Sequence, residues 1–285
     1  MLGILPAQPL NSKTPPSPPS LIKPDVLGTH NDEATISGEI EAQEAKSELV
    51  GTKVPVLMYH YIRPMPDCSL DKLGCSLTVT PKIFEAQLSF LVSHGWTAVT
   101  LDTLAASFRD PTILPAKPVV LTFDDGYEDF YTTAFPIIKR YGLPATIYVL
   151  AEGERMNLVQ GYGHYMSDTQ IRELSISPLI TVAAHTVDHS SLKGRSAYLQ
   201  YDQIFRSKSE IESIIGKPVN HFAYPYGAFD AVTIKYVREA GFVTAASTIA
   251  GAINSESTRY SLHRVRIGSG GPSPLAWFAD ALAKN

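Results

Sequence analysis

From residue 54 onward, short apolar runs alternate with segments whose apolar residues recur at helical spacing. The first four longer runs are VPVLMYH (54–60), PVVLTF (118–123), ATIYVL (145–150) and LITVAA (179–184). A shorter run, TAV (97–99), and the helical pattern LDTLAASF (101–108) lie between the first two. After the first run, Phe84, Leu88 and Leu91 lie on one face of a predicted helix. Pro81 at the start of this segment and Gly95 at its end are typical helix limits. The pattern therefore predicts a strand followed by a helix, repeated along the chain.

The alternation continues to the end of the chain. Further strand-like runs cover 219–225, 243–248 and 261–267, and helical patterns cover 196–216, 229–241 and 273–284. Seven or eight such strands predict a parallel sheet covered by helices, which at this length favours a closed (β/α) barrel. An open doubly wound sheet is the alternative, but no strand is followed by GxGxxG or another phosphate-binding loop. We expect an α/β fold of the TIM-barrel type.

The first 52 residues have a different composition. Seven of the 21 prolines lie within the first 24 residues, and an acidic, weakly hydrophobic stretch follows. Such a segment cannot bury enough apolar surface to offset chain entropy. We predict a disordered, Pro-rich spacer over 1–52 and a catalytic domain over 53–285. The spacer either holds the domain away from a membrane or wall, or is an ordinary flexible tail.

Charge and hydropathy exclude some partners. With 24 basic and 28 acidic residues the chain has a net charge of -4 and no basic stripe, so we expect no nucleic-acid partner. No apolar run approaches 18 residues, and the start MLGILPAQPL lacks a basic n-region and a full h-region. The chain as given should be soluble, either as a cytosolic protein or with its signal or anchor removed or not included.

The two cysteines, Cys68 and Cys75, enclose six residues. In an oxidising compartment a disulfide would pin this loop, whereas in the cytosol both would remain thiols. The flanking residues lack the spacing of a zinc site. We favour the disulfide.

Polar side chains follow most of the predicted strands. In a barrel of parallel strands the active site forms at their carboxyl ends, so these side chains should converge there. The residues at these positions are His60, Asp124, Asp125, Glu152, His185, His189, residues 224–227 and Arg264.

Asp124 and Asp125 stand together in LTFDDGY at the end of the second run. Neighbours on an extended chain point in opposite directions, so the two carboxylates cannot flank one bond as a glycosidase pair does. One could bind a metal while the other stays ionised and accepts a proton. The alternative is an ordinary Asp-Gly turn after a strand.

His185 and His189, in AAHTVDHS, are four residues apart. Both could reach one metal ion, although such a spacing also arises by chance on surfaces. Together with Asp125 they form a set of two histidines and one carboxylate, which suits a catalytic zinc and also a non-haem iron. An iron-dependent oxygenase would normally have a barrel of packed sheets, so the alternating strands and helices argue against it.

TFDDG, then HTVDH about sixty residues later, then AYPYG at a strand end resemble the polysaccharide deacetylases of carbohydrate esterase family four, the NodB homology domain. The resemblance covers roughly residues 54–267, and LMYHYI and FAYPYG are most similar to the subgroup acting on poly-N-acetylglucosamine. It implies a metal-dependent N-deacetylase on a distorted barrel of seven or eight strands. It also implies a divalent metal, most often zinc, a polysaccharide substrate and an extracellular or cell-envelope location. An O-acetyl xylan esterase and a non-catalytic carbohydrate-binding relative are the alternatives.

The resemblance also implies a role for each matching residue. Asp124 corresponds to the general base, and Asp125, His185 and His189 correspond to the metal ligands. The backbone N–H of Tyr226 corresponds to the donor that stabilises the oxyanion.

Two positions depart from the pattern. Many members carry an arginine shortly before the proline of AYPYG, whereas this chain has none there, and Arg264 is our candidate to pair with Asp124. The acid that protonates the leaving amine is His60, as in the subgroup with Tyr-His after the first strand, or His263. Strand alternation places His263 opposite Arg264, so we choose His60.

Substrate contacts are assigned to two segments. The first is the turn Tyr224-Pro225-Tyr226. The second is the loop 157–167, where Tyr162 and Tyr165 could stack on sugar rings. That loop is equally well read as an ordinary connection.

Overall fold

The computed structural model describes residues 51–160, 164–269 and 273–284, with the side chains of 158–160 excepted. Nearly all of the predicted spacer, residues 1–50, lies outside the described residues, and so does Tyr162. Each helix in the described part of the chain is too short or too polar to cross a bilayer.

Parallel strands close into a barrel. Within the described residues the ring contains β1 (Val56–Tyr59), β2 (Pro118–Phe123), β3 (Ala145–Val149), β4 (Ile180–Ala184), β5 (His221–Ala223), β6 (Thr244–Ala250) and β7 (Leu262–Arg266). Each strand pairs in parallel with the next, and β1 pairs with both β2 and β7, where Leu57 aligns with Leu121 on one side and Val265 on the other. The expected α/β barrel is confirmed, with seven strands in the ring.

Helices cover the outside of the ring. They are α1 (Lys72–Leu77), α2 (Pro81–Ser93), α3 (Leu101–Ser107), α4 (Phe135–Tyr141), α5 (Gly153–Gln160), α6 (Asp168–Ile176), α7 (Ala197–Ile215), α8 (Ala231–Glu239) and α9 (Pro274–Lys284). Helix α2 buries the face that its spacing predicted, since Phe84 meets the rings of Tyr59 and Phe123 edge-on. The main core lies between the barrel and these helices.

Helix α5 occupies part of the segment for which we predicted a loop. Its sequence, GERMNLVQ, has no clear apolar face, so periodicity could not find it. Asn157 on this helix donates to the Tyr165 carbonyl and accepts from the Tyr165 N–H, each over 2.9 Å. This pair of hydrogen bonds holds the chain after the helix.

A second, smaller core fills the barrel itself. Leu101 and Leu104 of α3 pack there with Val54 and Leu262, which lie at the amino ends of β1 and β7. All four side chains are fully buried. Helix α3 therefore closes the amino end of the barrel.

Residues 61–79, here called the first insert, connect β1 to α2. The insert begins and ends with a short parallel pair, Tyr61–Ile62 with Thr78–Val79, and carries α1 between them. Cys68 and Cys75 form a disulfide within it, with their Cα atoms 5.5 Å apart, as we favoured from the sequence. Strand pairing thus fixes the ends of the insert, and the disulfide fixes its middle.

A further short pair lies near the edge of the described chain. Thr52–Lys53 pairs antiparallel with Ile253–Asn254. Thr52, the last residue of the predicted spacer, therefore belongs to the folded part, because pairing with a barrel-bound segment gives its backbone hydrogen bonds that a free tail lacks.

Candidate active site

The candidate residues meet at the carboxyl end of the barrel. His60 directly follows β1, Asp124 and Asp125 follow β2, and His185 follows β4. A cavity of about 450 Å³ opens there. Its lining includes His60, Asp124, Asp125, His185, His189 and Tyr226. The barrel thus brings together groups that lie up to 166 positions apart in the chain.

Asp124 is held by a buried arginine. Arg264 on β7 donates from Nη1 to Asp124 Oδ1 over 2.7 Å and from Nη2 to Oδ2 over 2.8 Å, while its Nε donates to the Ser247 carbonyl over 2.7 Å. Burial raises the pKa of the Asp124 carboxyl, but the charge and the forked hydrogen bonds of Arg264 outweigh it and lower that pKa below its ordinary value. Asp124 is therefore an ionised, oriented acceptor.

Asp125 faces two histidines. Its Oδ1 lies 3.2 Å from His185 Nε2 and 3.2 Å from His189 Nε2. Burial raises the pKa of Asp125, yet the hydrogen bonds from the two imidazoles hold it well below its usual range. For His185, burial lowers the pKa and the contact with Asp125 raises it, with a net increase. One carboxylate oxygen and two ring nitrogens therefore point at one spot.

The far side of each imidazole is also occupied. His185 Nδ1 lies 2.7 Å from the Ala223 carbonyl, which can only accept, so this nitrogen carries the hydrogen of the neutral ring. In that neutral form Nε2 has a lone pair that can bind a metal ion. His189 Nδ1 lies 3.1 Å from the Tyr226 hydroxyl. One ligand atom from each of Asp125, His185 and His189 lies within 4.8 Å of the others. This oriented donor set fits a divalent cation such as zinc.

The backbone is strained at these positions. Asp125 (φ 74°), His189 (φ 65°) and Tyr226 (φ 60°) adopt the left-handed conformation that non-glycine residues rarely take. At the next residue, Gly227, a Cβ would lie 2.0 Å from Thr248 Oγ1, so only glycine fits there. Strained residues of this kind cluster at functional sites.

The AYPYG turn divides into an inner and an outer part. Tyr226 is 68% exposed and lines the cavity. Tyr224 and Pro225 are buried, and the Tyr224 hydroxyl donates to the Tyr260 carbonyl over 2.8 Å. The predicted contact of Tyr224 and Pro225 with substrate is therefore wrong. The hydroxyl of Tyr224 is hydrogen-bonded to a carbonyl on the side of the turn away from the cavity. Tyr224 and Pro225 support the turn that presents Tyr226.

The two candidate acids lie in different surroundings. His60 lines the cavity, with Nε2 3.9 Å from Asp124 Oδ2, and burial lowers its pKa despite the nearby carboxylates. His263, between two inward-facing residues of β7, packs with Nδ1 3.3 Å from where a Cβ on Gly251 would lie. His60 is therefore placed near the reacting groups and His263 outside the ring.

Several other residues of the cavity wall were not anticipated. Tyr61 and Tyr127 stack with ring centroids 4.0 Å apart and follow β1 and β2, so the rule of strand ends could have found them. Asp71 and Leu73 reach the cavity from the first insert. No periodic pattern in the sequence signals that contact, because it depends on how the insert folds back.

Comparisons with known proteins show which family the chain resembles. Residues 113–245 match the sequence model of a family described as polysaccharide deacetylase, a span that contains Asp124, Asp125, His185, His189 and Tyr226. YxkH of Bacillus subtilis (strain 168), named as a polysaccharide deacetylase, is 30% identical over 218 residues, covering 76% of this chain and 72% of its own. A poly-beta-1,6-N-acetyl-D-glucosamine N-deacetylase of Staphylococcus epidermidis is 26% identical over 232 residues, covering 74% of this chain and 78% of its own.

The fold has relatives among solved structures as well. The Streptococcus pyogenes deacetylase PplD, solved in complex with acetate, superposes with a TM-score of 0.72 at 26% identity. The match covers 82% of this chain and 99% of that one. The fold of this chain therefore matches that of a solved deacetylase over most of its length. The chain belongs to the polysaccharide deacetylase family of carbohydrate-acting hydrolases.

Proposed function

We propose that this protein is a metal-dependent N-deacetylase that releases acetate from a polysaccharide containing N-acetylglucosamine. One observation carries the proposal: a three-residue donor set for a cation lies directly beside an ionised carboxylate locked by a buried arginine. The similarity to an N-deacetylase of poly-beta-1,6-N-acetyl-D-glucosamine supports the substrate class. A binding module would have no use for a base beside a cation site.

Asp125, His185 and His189 would hold the cation, and zinc is the ion best matched to two imidazoles and one carboxylate. A bound divalent ion would polarise the acetyl carbonyl and make water a better nucleophile. Borderline ligands of this kind also accept other divalent ions, so metal identity is part of the test.

Three groups of the chain act on the substrate. Asp124 accepts a proton from the attacking water, and Arg264 keeps this carboxylate ionised and aimed. The backbone N–H of Tyr226 donates to the carbonyl oxygen as its negative charge develops. His60 then donates a proton to the nitrogen while the C–N bond breaks, which leaves acetate and a free amine on the sugar.

The proposed location is the cell envelope or the extracellular space. The Cys68–Cys75 disulfide supports it, because disulfides persist in oxidising compartments. The Pro-rich segment over 1–52 would then act as a spacer between the domain and its attachment.

The test is acetate release from N-acetylglucosamine oligomers and polymer before chelation, after chelation and after zinc is restored. We expect activity to be lost on chelation, regained with zinc and absent from Asp125→Asn. Asp188→Asn is the matched control, because Asp188 is exposed in the same turn as the histidines and bonds only locally to Ser190.

Other outcomes would redirect the proposal. Acetate released from O-acetylated xylan but not from N-acetylated sugars would make the protein an esterase. Glycan binding with metal in place and no acetate from any substrate would identify a carbohydrate-binding relative. Full activity after complete metal removal would contradict the metal dependence.

A further inference from the structure

A large apolar side chain stands exposed on the wall of the catalytic cavity. Leu73 on α1 is 67% exposed and lines the same cavity as Asp124 and Asp125. Its place in the cavity distinguishes Leu73 from Leu70, which is also exposed but does not line the cavity among the described residues. A ligand that covered the Leu73 side chain would gain up to about 1.5–3 kcal/mol of burial free energy.

The helix that carries Leu73 is firmly held. Cys75 on α1 is tied by the disulfide to Cys68, and the Asp71 side chain caps the helix by accepting from the Gly74 N–H over 2.7 Å. Arg63 donates to Asp71 over 3.3 Å. The exposure of Leu73 is therefore a fixed feature of the first insert, since the backbone on both sides is anchored.

Glycine at position 74 belongs to this arrangement. A Cβ there would lie 1.9 Å from Asp71 Oδ2 and 2.7 Å from Arg63 Nη2. A larger residue would therefore shift the ends of these two side chains, one of which caps α1.

A second exposed side chain faces the cavity from the other side of the barrel mouth. Tyr226 follows β5 and is 68% exposed, whereas Leu73 belongs to the insert that follows β1. In the ring order, β7 and β6 separate β1 from β5 on one side, and β2, β3 and β4 separate them on the other. The strands that lead to Leu73 and to Tyr226 therefore stand on opposite sides of the ring, and both side chains line one cavity.

We propose that Leu73 and Tyr226 form an apolar clamp for one hexosamine ring of the polysaccharide. The C–H faces of a pyranose ring offer flat apolar surfaces that pack against aromatic and aliphatic side chains. A ring gripped on both sides would present its acetamido group to Asp124 and the cation site below. Leu73 then contributes to substrate binding, and the disulfide-braced insert holds it in place. This inference rests on the proposed deacetylation.

The test compares Leu73→Ala with Leu70→Ala. Leu70 lies on the same insert and is 86% exposed, but it does not line the cavity among the described residues, which makes it a matched control. For Leu73→Ala we expect KM for an N-acetylglucosamine oligomer to rise about fivefold, the effect of roughly 40 Å² of apolar contact at about 25 cal/mol per Å². The effect on kcat should be smaller, bound zinc should be unchanged, and Leu73→Met should restore KM.

Equal KM values for Leu73→Ala and the unaltered protein would overturn the clamp. So would a loss confined to kcat, or the same rise in KM for Leu70→Ala. If the unaltered protein releases no acetate, the oligomer is not consumed and its Kd can be measured by calorimetry. Weaker binding by Leu73→Ala alone would then support the clamp while the proposed deacetylation fails, and absence of binding or equal Kd values would overturn the clamp.

Discussion

The two ends of the barrel differ in the kind of side chain that they bury. At the amino end, Leu101 and Leu104 of α3 pack on Val54 and Leu262 with no exposed surface and no buried charge in that cluster. At the carboxyl end, the cavity is lined by ionisable side chains, and Asp124 is buried against Arg264. The amino end therefore contributes apolar burial, whereas the carboxyl end holds groups whose desolvation opposes folding.

The two ends also differ in backbone conformation. Among the described residues, the non-glycine positions with positive φ are Asp125, Thr186, His189 and Tyr226, and all of them follow the carboxyl ends of strands. Each such conformation costs about 1–3 kcal/mol and persists only where surrounding structure enforces it. We therefore expect substitutions at the carboxyl end to change the reaction, whereas substitutions at the amino end should change stability alone.

The largest effect is expected from His60→Ala. Removal of a general acid typically lowers kcat/KM by about 10²–10⁴-fold. His263→Ala is the matched control, since this histidine alternates with the inward-facing Arg264 on β7. Acetate-release kinetics and urea unfolding of both variants provide the measurement. A greater rate loss for His263→Ala would reverse the assignment of the acid.

Arg264→Ala should lower both the stability and the activity of the protein. Arg264 is 1% exposed, so its removal leaves Asp124 as a buried charge without its partner. We expect a loss of about 3–5 kcal/mol in the free energy of unfolding, together with a large loss of activity. Denaturant unfolding and acetate release measure the two effects.

A double variant separates the two possible causes of the lost stability, an unpaired buried carboxylate and lost packing around the guanidinium. In Arg264→Met combined with Asp124→Asn, neither buried charge remains, so most of the lost stability should return while activity stays absent. If the double variant is as unstable as Arg264→Ala, the loss comes from packing around the guanidinium and not from an unpaired carboxylate.

Leu104→Ala tests the amino end. Truncation of a fully buried leucine should lower the free energy of unfolding by about 3 kcal/mol, within the usual range of 2–5 kcal/mol. The kcat of the folded fraction should stay unchanged, because Leu104 lies at the end of the barrel away from the cavity. Leu114→Ala is the control, since Leu114 packs on the same cluster but is only partly buried and should cost less. A kcat reduced tenfold in folded Leu104→Ala would mean that the two ends are coupled.

The sequence was sufficient for the barrel and for much of its mouth. Apolar runs located the seven strands, and the rule that chemistry follows strand ends pointed to His60, Asp124 and His185. Arg264 was proposed to replace the arginine that many members of the family carry, and its observed pair with Asp124 agrees with that proposal. Alternation along the strand then placed His263 on the opposite face. These features depend on local pattern and on one general property of the fold.

Other features depend on long-range packing and left no periodic signal. The spacing of Leu101 and Leu104 predicted a helix but not that it closes one end of the barrel. The side chain of Tyr224 turns away from the cavity because a carbonyl 36 positions later accepts its hydroxyl. The short pair Tyr61–Ile62 with Thr78–Val79 is too brief to show any alternation.

The last expected effect concerns Asp129, whose contribution to the free energy of unfolding should depend on pH. Its Oδ2 accepts from the Ile62 N–H over 2.9 Å, whereas its Oδ1 is buried without a hydrogen-bond partner among the described residues. Burial raises the pKa of this carboxyl from 3.8 to about 6, against the opposing effects of Ile62 and Arg63. The carboxyl end thus contains an acid whose burial favours the protonated form.

The sign of the pH dependence follows from that preference. The folded chain binds this proton more tightly than the unfolded chain, so the stabilisation is fully present below about pH 4 and is lost as pH rises through about 6. Asparagine resembles the protonated acid and can still accept from Ile62. At pH 7.5, the free energy of unfolding of Asp129→Asn should therefore exceed that of the unaltered protein by roughly 3 kcal/mol, and the two values should converge near pH 4.

Urea unfolding at half-unit steps from pH 4 to pH 8 measures this difference. The same exchange at the exposed Asp110 controls for the loss of one negative charge. A constant offset between Asp129→Asn and the unaltered protein at every pH would show that the pKa of this carboxyl is the same in the folded and the unfolded chain. A difference that grows between pH 4 and pH 7 would show that the carboxyl end opposes folding through this charge, while the amino end has no equivalent group in its buried cluster.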